Sequence, residues 1–589
     1  MQKLEEYYAN ELQYLAEAGA DFARRHPQQA ALLNPEQVKA RDPHVERLFE
    51  NFAFLTAGIR AKLDDELPEL TRALLGLLCP QYVRPLPALV TLQLLPDYSQ
   101  LTAPARVPAD AFVEARPLTS ETSHEPIKCQ FRTCYPVDLA PIKLGSVRHC
   151  GPKEGGEGLE FTFTLSPGAK WEDMGADRLR LHLHGESHQL VYSVFYHLMK
   201  RARRVVLSSS EARAIAGRLS PVGFGREHEV IPYDTHAFPG FRLIHEYLCF
   251  PEKFLYVDIT GLAALDAVGS NGDFTVTIWF DGELPPWWSR TLSTENFPLF
   301  CTPAINLFPA HAYPIDYDQR QSEYAIHIAK DAPDAYQVHS VRTVVGRPRG
   351  EHSDKLVGFR PFFDFRHNAE VNSPYYQITT RASGAGAPET VLTLTMPEGA
   401  RHNLPELELS IDVEAFNGDY PQRLGPGDIC FRADRMPRTV STVRNLAPPT
   451  PVRWAGGDAA LDWQFISQLA LNHLGLTDIE AMVSNLRLYD WTGDPANARR
   501  LEGITNLAVS KAKALMVRDG AFIQGVDVII DLDESCFTDL GDAYLLAEVL
   551  RHYLSLYATI NSFVRVLARC VNSKEEWRWP PLDGRQTTI

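Results

Sequence analysis

The segment 241-FRLIHEYLCFPEKFLYVDITGL-262 places His245 and Glu246 one helical turn ahead of Cys249. A zinc-protease helix needs two imidazoles four residues apart, so that both reach one metal, with the glutamate beside the first acting as general base. Here a thiol stands where the second imidazole belongs, and a third ligand would still be required. Pro251 stops the helix two residues later. Phe241, Leu243, Tyr247, Leu248, Phe250, Phe254, Leu255 and Tyr256 surround the motif with apolar and aromatic bulk. The expectation is a packing and docking segment that holds no metal.

A second cluster is His182, His184 and His188 in 178-RLRLHLHGESH-188. Three imidazoles near one another can bind zinc or nickel, which would make a cryptic metallohydrolase. Strand alternation puts Arg178, Arg180, His182 and His184 on one face and Leu179, Leu181 and Leu183 on the other. Cationic neighbours disfavour a dication, so a solvated polar face is expected. In 526-VDVIIDLDE-534, Asp527, Asp531 and Asp533 share a strand face, but no calcium-loop glycine accompanies them. The run 200-KRARR-204 fits the negative end of a helix dipole. Trp287 and Trp288 offer a surface for a sugar or a partner, the basis of a glycan-binding β-sandwich alternative. The chain has no G-x-S-x-G, Walker A or G-x-G-x-x-G motif. No catalytic residue, metal ligand or cofactor is assigned.

The elements that must position these residues change character along the chain. Residues 1–85 read as helical, with Asp42 and Pro43 opening a second helix whose stripe is Val45, Leu48, Phe49, Phe52, Leu55, Ile59 and Leu63. Residues 86–205 read as a first β-rich domain with one helix, capped by Ser187. Residues 206–445 alternate short strands, such as 274-FTVTIWF-280 and 406-ELELSIDVEAF-416, with turns. The proline- and glycine-rich stretch 446–460 reads as a linker. Residues 461–589 mix helix and strand: a helix from Trp463 to about Leu474, a strand over 526–534, a helix capped by Asp542, and a last strand from Phe563. The fold class is α+β and multi-domain. It has an N-terminal helical segment, central antiparallel β-rich domains and a C-terminal mixed α/β domain.

Composition narrows the function. With 58 basic and 74 acidic residues, the chain carries a net charge of −16. Nucleic-acid binding and anionic membrane surfaces are therefore not expected. Nine cysteines, none in a C-x-x-C pair, fit reduced thiols rather than a disulfide framework. The opening MQKLEEYYANELQYL is amphipathic and acidic, unlike a signal peptide. No run of about 18 apolar residues suggests membrane insertion.

Several segments, in order, resemble one family. They are 4-LEEYYANELQYL-15, 42-DPHVERLFENFAFL-55, 241-FRLIHEYLCFPEKF-254, 294-TENFPLFCTPAINLFPAHAYPIDYD-318, 443-VRNLAPPTPV-452, 463-WQFISQLALNHLGL-476 and 541-GDAYLLAEVLRHYLSLYATINSF-563. Together they are similar to TssF, a baseplate subunit of type VI secretion systems. The resemblance departs from the family's pattern at His245, where a glutamine is the more common residue. It implies a structural wedge protein without catalytic residues, like the wedges of contractile phage baseplates. It also implies assembly of two copies with one TssG, alongside TssK and TssE, around a VgrG hub on which the sheath is primed. The implied location is cytoplasmic, at the inner face of the envelope when the baseplate docks. Partner contacts are expected at Tyr7, Tyr8 and Leu12 in the first helix, at Trp287 and Trp288 in a loop, and at Tyr553 and Tyr557 in the last helix. Hinged β-blocks would let two copies occupy different environments.

Overall fold

The computed structural model describes residues 8, 12, 47, 50, 51, 53–55, 74–76 and 79–584, apart from 121–124, 154–155, 168, 170–176, 210–214, 234–238, 269–271, 349–355, 363–373, 382–387, 396–405, 433–435, 455–478, 513–515, 519–520 and 559–561. The chain forms two compact units, one of 1–83 with 456–470 and one of 84–455 with 471–589. In the smaller unit the described positions from 8 to 76 are helical. Ala53 and Leu75 are buried there, while Phe54 and Leu55 are exposed. Leu55 thus leaves the buried stripe expected for it. The expected Trp463 helix lies outside the described residues.

The larger unit is β-rich, because its apolar residues recur with period two between proline and glycine breaks. A six-stranded antiparallel sheet runs in the order Ile429–Arg432, Phe112–Ala115, Gln130–Thr133, Cys301–Ile305, Leu89–Pro96, Val440–Asn445. A seven-stranded antiparallel sheet runs Ile142–Lys153, Gly156–Leu165, Phe274–Phe280, Ala202–Ser209, Ile215–Pro221, Tyr256–Thr260, Arg178–His182. The boundary expected at 205/206 falls inside its strand Ala202–Ser209, which also takes the second half of the basic run out of the helix end. A third sheet is built from strands between Phe308 and Phe416.

The C-terminal sheet is ordered Ile504–Lys511, Ala521–Leu532, Ser562–Cys570, Glu576–Arg578. Its two central strands are parallel. Parallel neighbours need a long crossover, and a helix supplies it.

The helices of this unit include α1 (His188–Tyr196), α2 (Pro239–Cys249), α3 (Pro495–Glu502) and α4 (Leu540–Ser555). Ser187 caps α1 as its sequence suggests, its Oγ accepting the Leu190 N–H at 3.4 Å. Pro251 ends α2 and opens a short 3-10 turn through Phe254. Gly541 lets α4 approach α1, since a Cβ there would sit 2.0 Å from the Tyr192 carbonyl oxygen.

The stretch 446–454 does not run free between domains. Its Leu446 and Thr450 N–H groups donate to Thr91 and Leu89 carbonyls at 3.0 and 2.8 Å, and Leu86 and Arg453 exchange backbone bonds. The junction between the first and third sheets is also tied. Asn306 and Asn417 are fully buried. Asn306 Nδ2 donates to Asn417 Oδ1 at 2.8 Å and to the Gln130 carbonyl at 2.7 Å. The Asn417 backbone N–H donates back to Asn306 Oδ1 at 2.7 Å, and its Nδ2 donates to the Ala335 carbonyl at 3.1 Å. A junction closed by buried, mutually satisfied amides is a clamp rather than a hinge.

Asn306→Ala strands the Gln130 carbonyl and the Asn417 N–H in the interior. The expected loss is about 1–3 kcal/mol in urea unfolding. Asn417→Ala should match it, and the double variant should cost little more than either single one, because both remove the same network.

Candidate functional site: the junction around helix 239–249

In α2 the near-protease motif is an interior ionic knot. Glu246 and Lys253 are both fully buried. Glu246 Oε1 accepts the backbone N–H of Val230 at 2.8 Å and of Ile231 at 3.0 Å. Its Oε2 takes the Lys253 ammonium in a short ion pair and faces Arg242 Nε at 3.6 Å. Lys253 Nζ also donates to the His228 carbonyl at 2.9 Å, and Arg242 reaches on to Glu229. One carboxylate thus fastens the loop 228–231 to the helix and to the turn after it.

Burial by itself raises the Glu246 carboxyl, but Lys253, Arg242 and the Ile231 N–H outweigh it and hold the group below the ordinary glutamate range. Burial drives Lys253 the other way, below the ordinary lysine range, with Glu246 opposing. A carboxylate held this firmly as an anion, with both oxygens engaged, is not free to act as a general base.

The would-be ligands face elsewhere. His245 is buried, with its ring 4.2 Å from that of Trp491, and burial pulls its pKa down to about 4. Burial pushes the Cys249 thiol up to about 12, which disfavours the thiolate a metal would require.

The same helix anchors the C-terminal segment, residues 479–584. The Leu248 carbonyl accepts from Asn497 Nδ2 at 2.9 Å. Asn497 Oδ1 accepts from Arg500 Nη1 at 2.9 Å, and Arg500 Nε reaches both oxygens of Asp542 at 3.0 Å. This relay joins α2, α3 and α4. Phe241 stacks on Tyr489 at 4.9 Å and approaches Tyr553 at 6.5 Å. The sequence points to Asp542 as the cap of α4, but Asp539 holds that position. Asp542 sits in the first turn, buried by its pairing with Arg500.

The histidine cluster separates. His182 is 2% exposed, not solvated as expected, and lies 4.4 Å from the Tyr256 ring. Arg180 on the same face is neutralised by Asp258 at 2.7 and 2.9 Å, so this polar face is packed from Arg180 to His182, while Arg178 is exposed. Burial, with His184 adding, lowers His182 to about 3. His184 stands 6.2 Å away, ring to ring, while His188 begins α1 against Tyr192. Among the described residues no group of three or more His, Cys, Asp or Glu has metal-holding geometry.

The acidic strand has partners of its own. Asp527 forms a two-pronged pair with Arg565 at 2.8 Å, Asp531 takes Asn506 at 2.8 Å, and Asp533 takes Asn572 at 2.9 Å. In the basic run, Arg201 pairs with Glu575 at 2.5 Å and Arg203 with Asp281 at 2.8 Å.

Of the expected contact residues, Leu12 and Trp287 are exposed, at 39% and 38%. Tyr8 and Tyr557 are half-buried, and Tyr7 lies outside the described residues. Trp288 and Tyr553 correct the expectation: they are 1% and 2% exposed. Trp288 packs on His197 at 4.7 Å, and the Tyr553 hydroxyl bonds that of Tyr557 at 2.8 Å. A sugar platform of two indoles is therefore not available, because one of them is interior. Sequence reasoning missed Lys253, Asn497, Arg500 and the Asn306–Asn417 pair. Asn497, Arg500 and the asparagine pair carry no local signal of burial, because partners of each lie 42 to 249 residues away.

Many sheets joined by buried polar ties define a framework protein, in which the residues that looked chemical hold the fold together. Residues 1–586 match the family described as "Type VI secretion system, TssF", and the chain belongs to it. It is 28% identical, over the whole of both chains, to the type VI secretion system component TssF1 of Pseudomonas aeruginosa. A chain of a TssK–TssF–TssG baseplate subcomplex of the type VI secretion system, determined by cryo-electron microscopy, superposes with a TM-score of 0.78. That match has 28% identity and covers 92% of this chain and 99% of the other. A chain of a type VI baseplate complex superposes with a TM-score of 0.61 at 26% identity, covering 99% of this chain and all of the other.

Glu246→Gln keeps the shape of the knot but leaves the Lys253 ammonium buried without its counter-ion. It should cost about 3–5 kcal/mol in urea unfolding, and Glu246→Leu with Lys253→Met together should cost less. A loss under about 1 kcal/mol for Glu246→Gln would contradict the knot.

Acid should also weaken the fold. His182, His228 (lowered to about 4, chiefly by burial) and His245 all have folded pKa values below the usual 6.5. Below pH 6.5 the unfolded chain therefore binds more protons than the folded one, and stability falls as pH drops toward 4. Glu246 adds stability that is present above the ordinary glutamate pKa and is lost as pH falls through its lowered value. The displacement at His245 corresponds to about 3 kcal/mol when fully realised. The melting temperature should decline as pH falls below about 6.5. His245→Phe should shallow that decline. A flat profile down to about pH 5 would contradict the burial of these rings.

Proposed function

We propose that this protein is a non-catalytic baseplate subunit of a type VI secretion system. The observation that carries this reading is the likeness, over 92% of the chain, to a chain of a TssK–TssF–TssG baseplate subcomplex. Membership of the TssF family over residues 1–586 supports it independently. In this reading two copies assemble with one TssG, and TssK and TssE complete a wedge. Six wedges then form a platform around a VgrG hub and prime polymerisation of the sheath. The work is done in the cytoplasm, at the inner face of the envelope. Among the described residues no helix is long and apolar enough to cross a membrane.

A wedge must transmit load without shearing between its own parts. The buried ties at Asn306–Asn417, Glu246–Lys253 and Arg500–Asp542 suit that role. Tyr7, Tyr8, Leu12, Trp287 and Tyr557 are proposed as contacts to other subunits, with Leu12 and Trp287 the exposed members. Interfaces of permanent assemblies bury about 2,000–5,000 Å², so the chain is expected to behave poorly without its partner.

Co-expression with TssG, followed by size exclusion and light scattering, tests the reading. A complex with the mass of two copies of this chain and one TssG is the expected result. A well-behaved lone monomer that ignores TssG would overturn it.

A further inference from the structure

The clamp between the first and third sheets contains a chemically labile pair. Asn417 is followed by Gly418, and the chain has one other such pair, Asn271–Gly272, whose asparagine lies outside the described residues. Asparagine is among the thermally labile side chains. The backbone nitrogen of the next residue can attack its amide carbon. Glycine, with no Cβ, leaves that nitrogen the least shielded.

Both members of the pair are demanded by the fold. Gly418 has φ +49°, and a Cβ there would sit 2.5 Å from the Asp334 carbonyl oxygen and 2.9 Å from Gln337 Nε2. Asn417 is fully buried. Its Oδ1 accepts from Asn306 Nδ2 at 2.8 Å and from the Gln130 N–H at 3.3 Å. Its Nδ2 donates to the Ala335 carbonyl at 3.1 Å and to the Lys128 carbonyl at 3.4 Å. The clamp is therefore built from a dipeptide that reacts with itself in a free chain.

Reaction requires these bonds to break. The Gly418 nitrogen forms a bond to Asn417 Cγ, the bond from Cγ to Nδ2 breaks, and Nδ2 leaves as ammonia with the proton that Gly418 gives up. Water then opens the cyclic imide at either carbonyl, giving an aspartyl or an isoaspartyl residue. Closing the ring swings the amide toward the main chain, off Asn306 and Gln130, and removes Nδ2 from the Ala335 and Lys128 carbonyls. While the sheets stay joined, these partners hold the amide in place.

The product does not fit the site. A carboxylate oxygen where Nδ2 stood faces the Ala335 and Lys128 carbonyl oxygens, acceptor against acceptor. It also brings a charge into a dry interior. The isoaspartyl form adds a further carbon to the main chain.

We propose that Asn417 is a deamidation site gated by the clamp. It is inert while Asn306 and Asn417 hold each other, and it reacts when the clamp opens. The product then keeps the clamp from closing again, so the chain carries a one-way mark of its first and third sheets having come apart.

The test incubates the full-length chain in mildly alkaline buffer made with heavy-oxygen water, which separates conversion during incubation from conversion during digestion. Mass-spectrometric peptide mapping follows position 417, with Asn271 as the reference for buffer and handling. Folded wild type is compared with wild type in urea and with folded Asn306→Ala. Conversion at 417 should be at least about a hundred-fold slower in the folded than in the unfolded chain, because it waits on local opening. Asn306→Ala should speed it at least about ten-fold by removing part of the buried network. If Asn306→Ala does not fold, a urea series on wild type decides instead, and conversion should rise with the unfolded fraction. Asn417→Asp should lower the urea midpoint of unfolding. The proposal is overturned by conversion as fast in folded as in unfolded wild type, by none in the unfolded chain, by no acceleration in folded Asn306→Ala, or by a wild-type midpoint in Asn417→Asp.

Discussion

The pairing of Glu246 with Lys253 in a fully dry interior constrains everything around it. Neither charge is tolerable there alone, since an unpaired ion inside a protein costs several kcal/mol. The closed arrangement of the surrounding segments therefore requires the pair to be intact. Glu246 needs the Val230 and Ile231 N–H groups to complete its shell, and Lys253 needs the His228 carbonyl. The loop 228–231, helix α2 and the turn 251–254 accordingly come together as one piece or not at all.

From that piece the framework extends in two directions. Toward the sheets, Val230, Ile231, Phe250 and Tyr256 join Leu89, Tyr135 and Ile305 in one apolar cluster, which Cys249 and Trp491 flank. Toward the C-terminal sheet, the Leu248 carbonyl starts the relay through Asn497 and Arg500 to Asp542. The Asn306–Asn417 clamp adds the third sheet. Proline-rich connections suggest hinged β-blocks. The structure instead satisfies polar groups across each of these junctions, which favours a single geometry over a range of them.

Much of this was legible in the sequence where the signal was local. The period-two strand 274–280, the Ser187 cap and the stop at Pro251 all fall where the residues indicate. The ordered family segments were legible too, because each is a short stretch of chain. What was not legible depends on distant partners. His182 is interior because Asp258, 78 residues from Arg180, removes the charge that argued for solvent. Trp287 and Trp288 are adjacent in sequence and opposite in exposure, a difference made by His197. Asn306 and Asn417 are 111 residues apart, and nothing near either one announces the other. The protease-like spacing at His245 misled for the opposite reason: the local pattern was chemical, and the long-range partners made it structural.

The most direct test is native-state hydrogen exchange at the Val230 and Ile231 amides. Both lie in a connecting segment outside regular strand or helix, where exchange is ordinarily fast. If the buried carboxylate fixes this junction, the two amides exchange only when the whole unit opens, as slowly as those of the central strand Phe274–Phe280. Exchange at the rate of an exposed loop would mean that the junction opens by itself, and that the framework does not rest on Glu246.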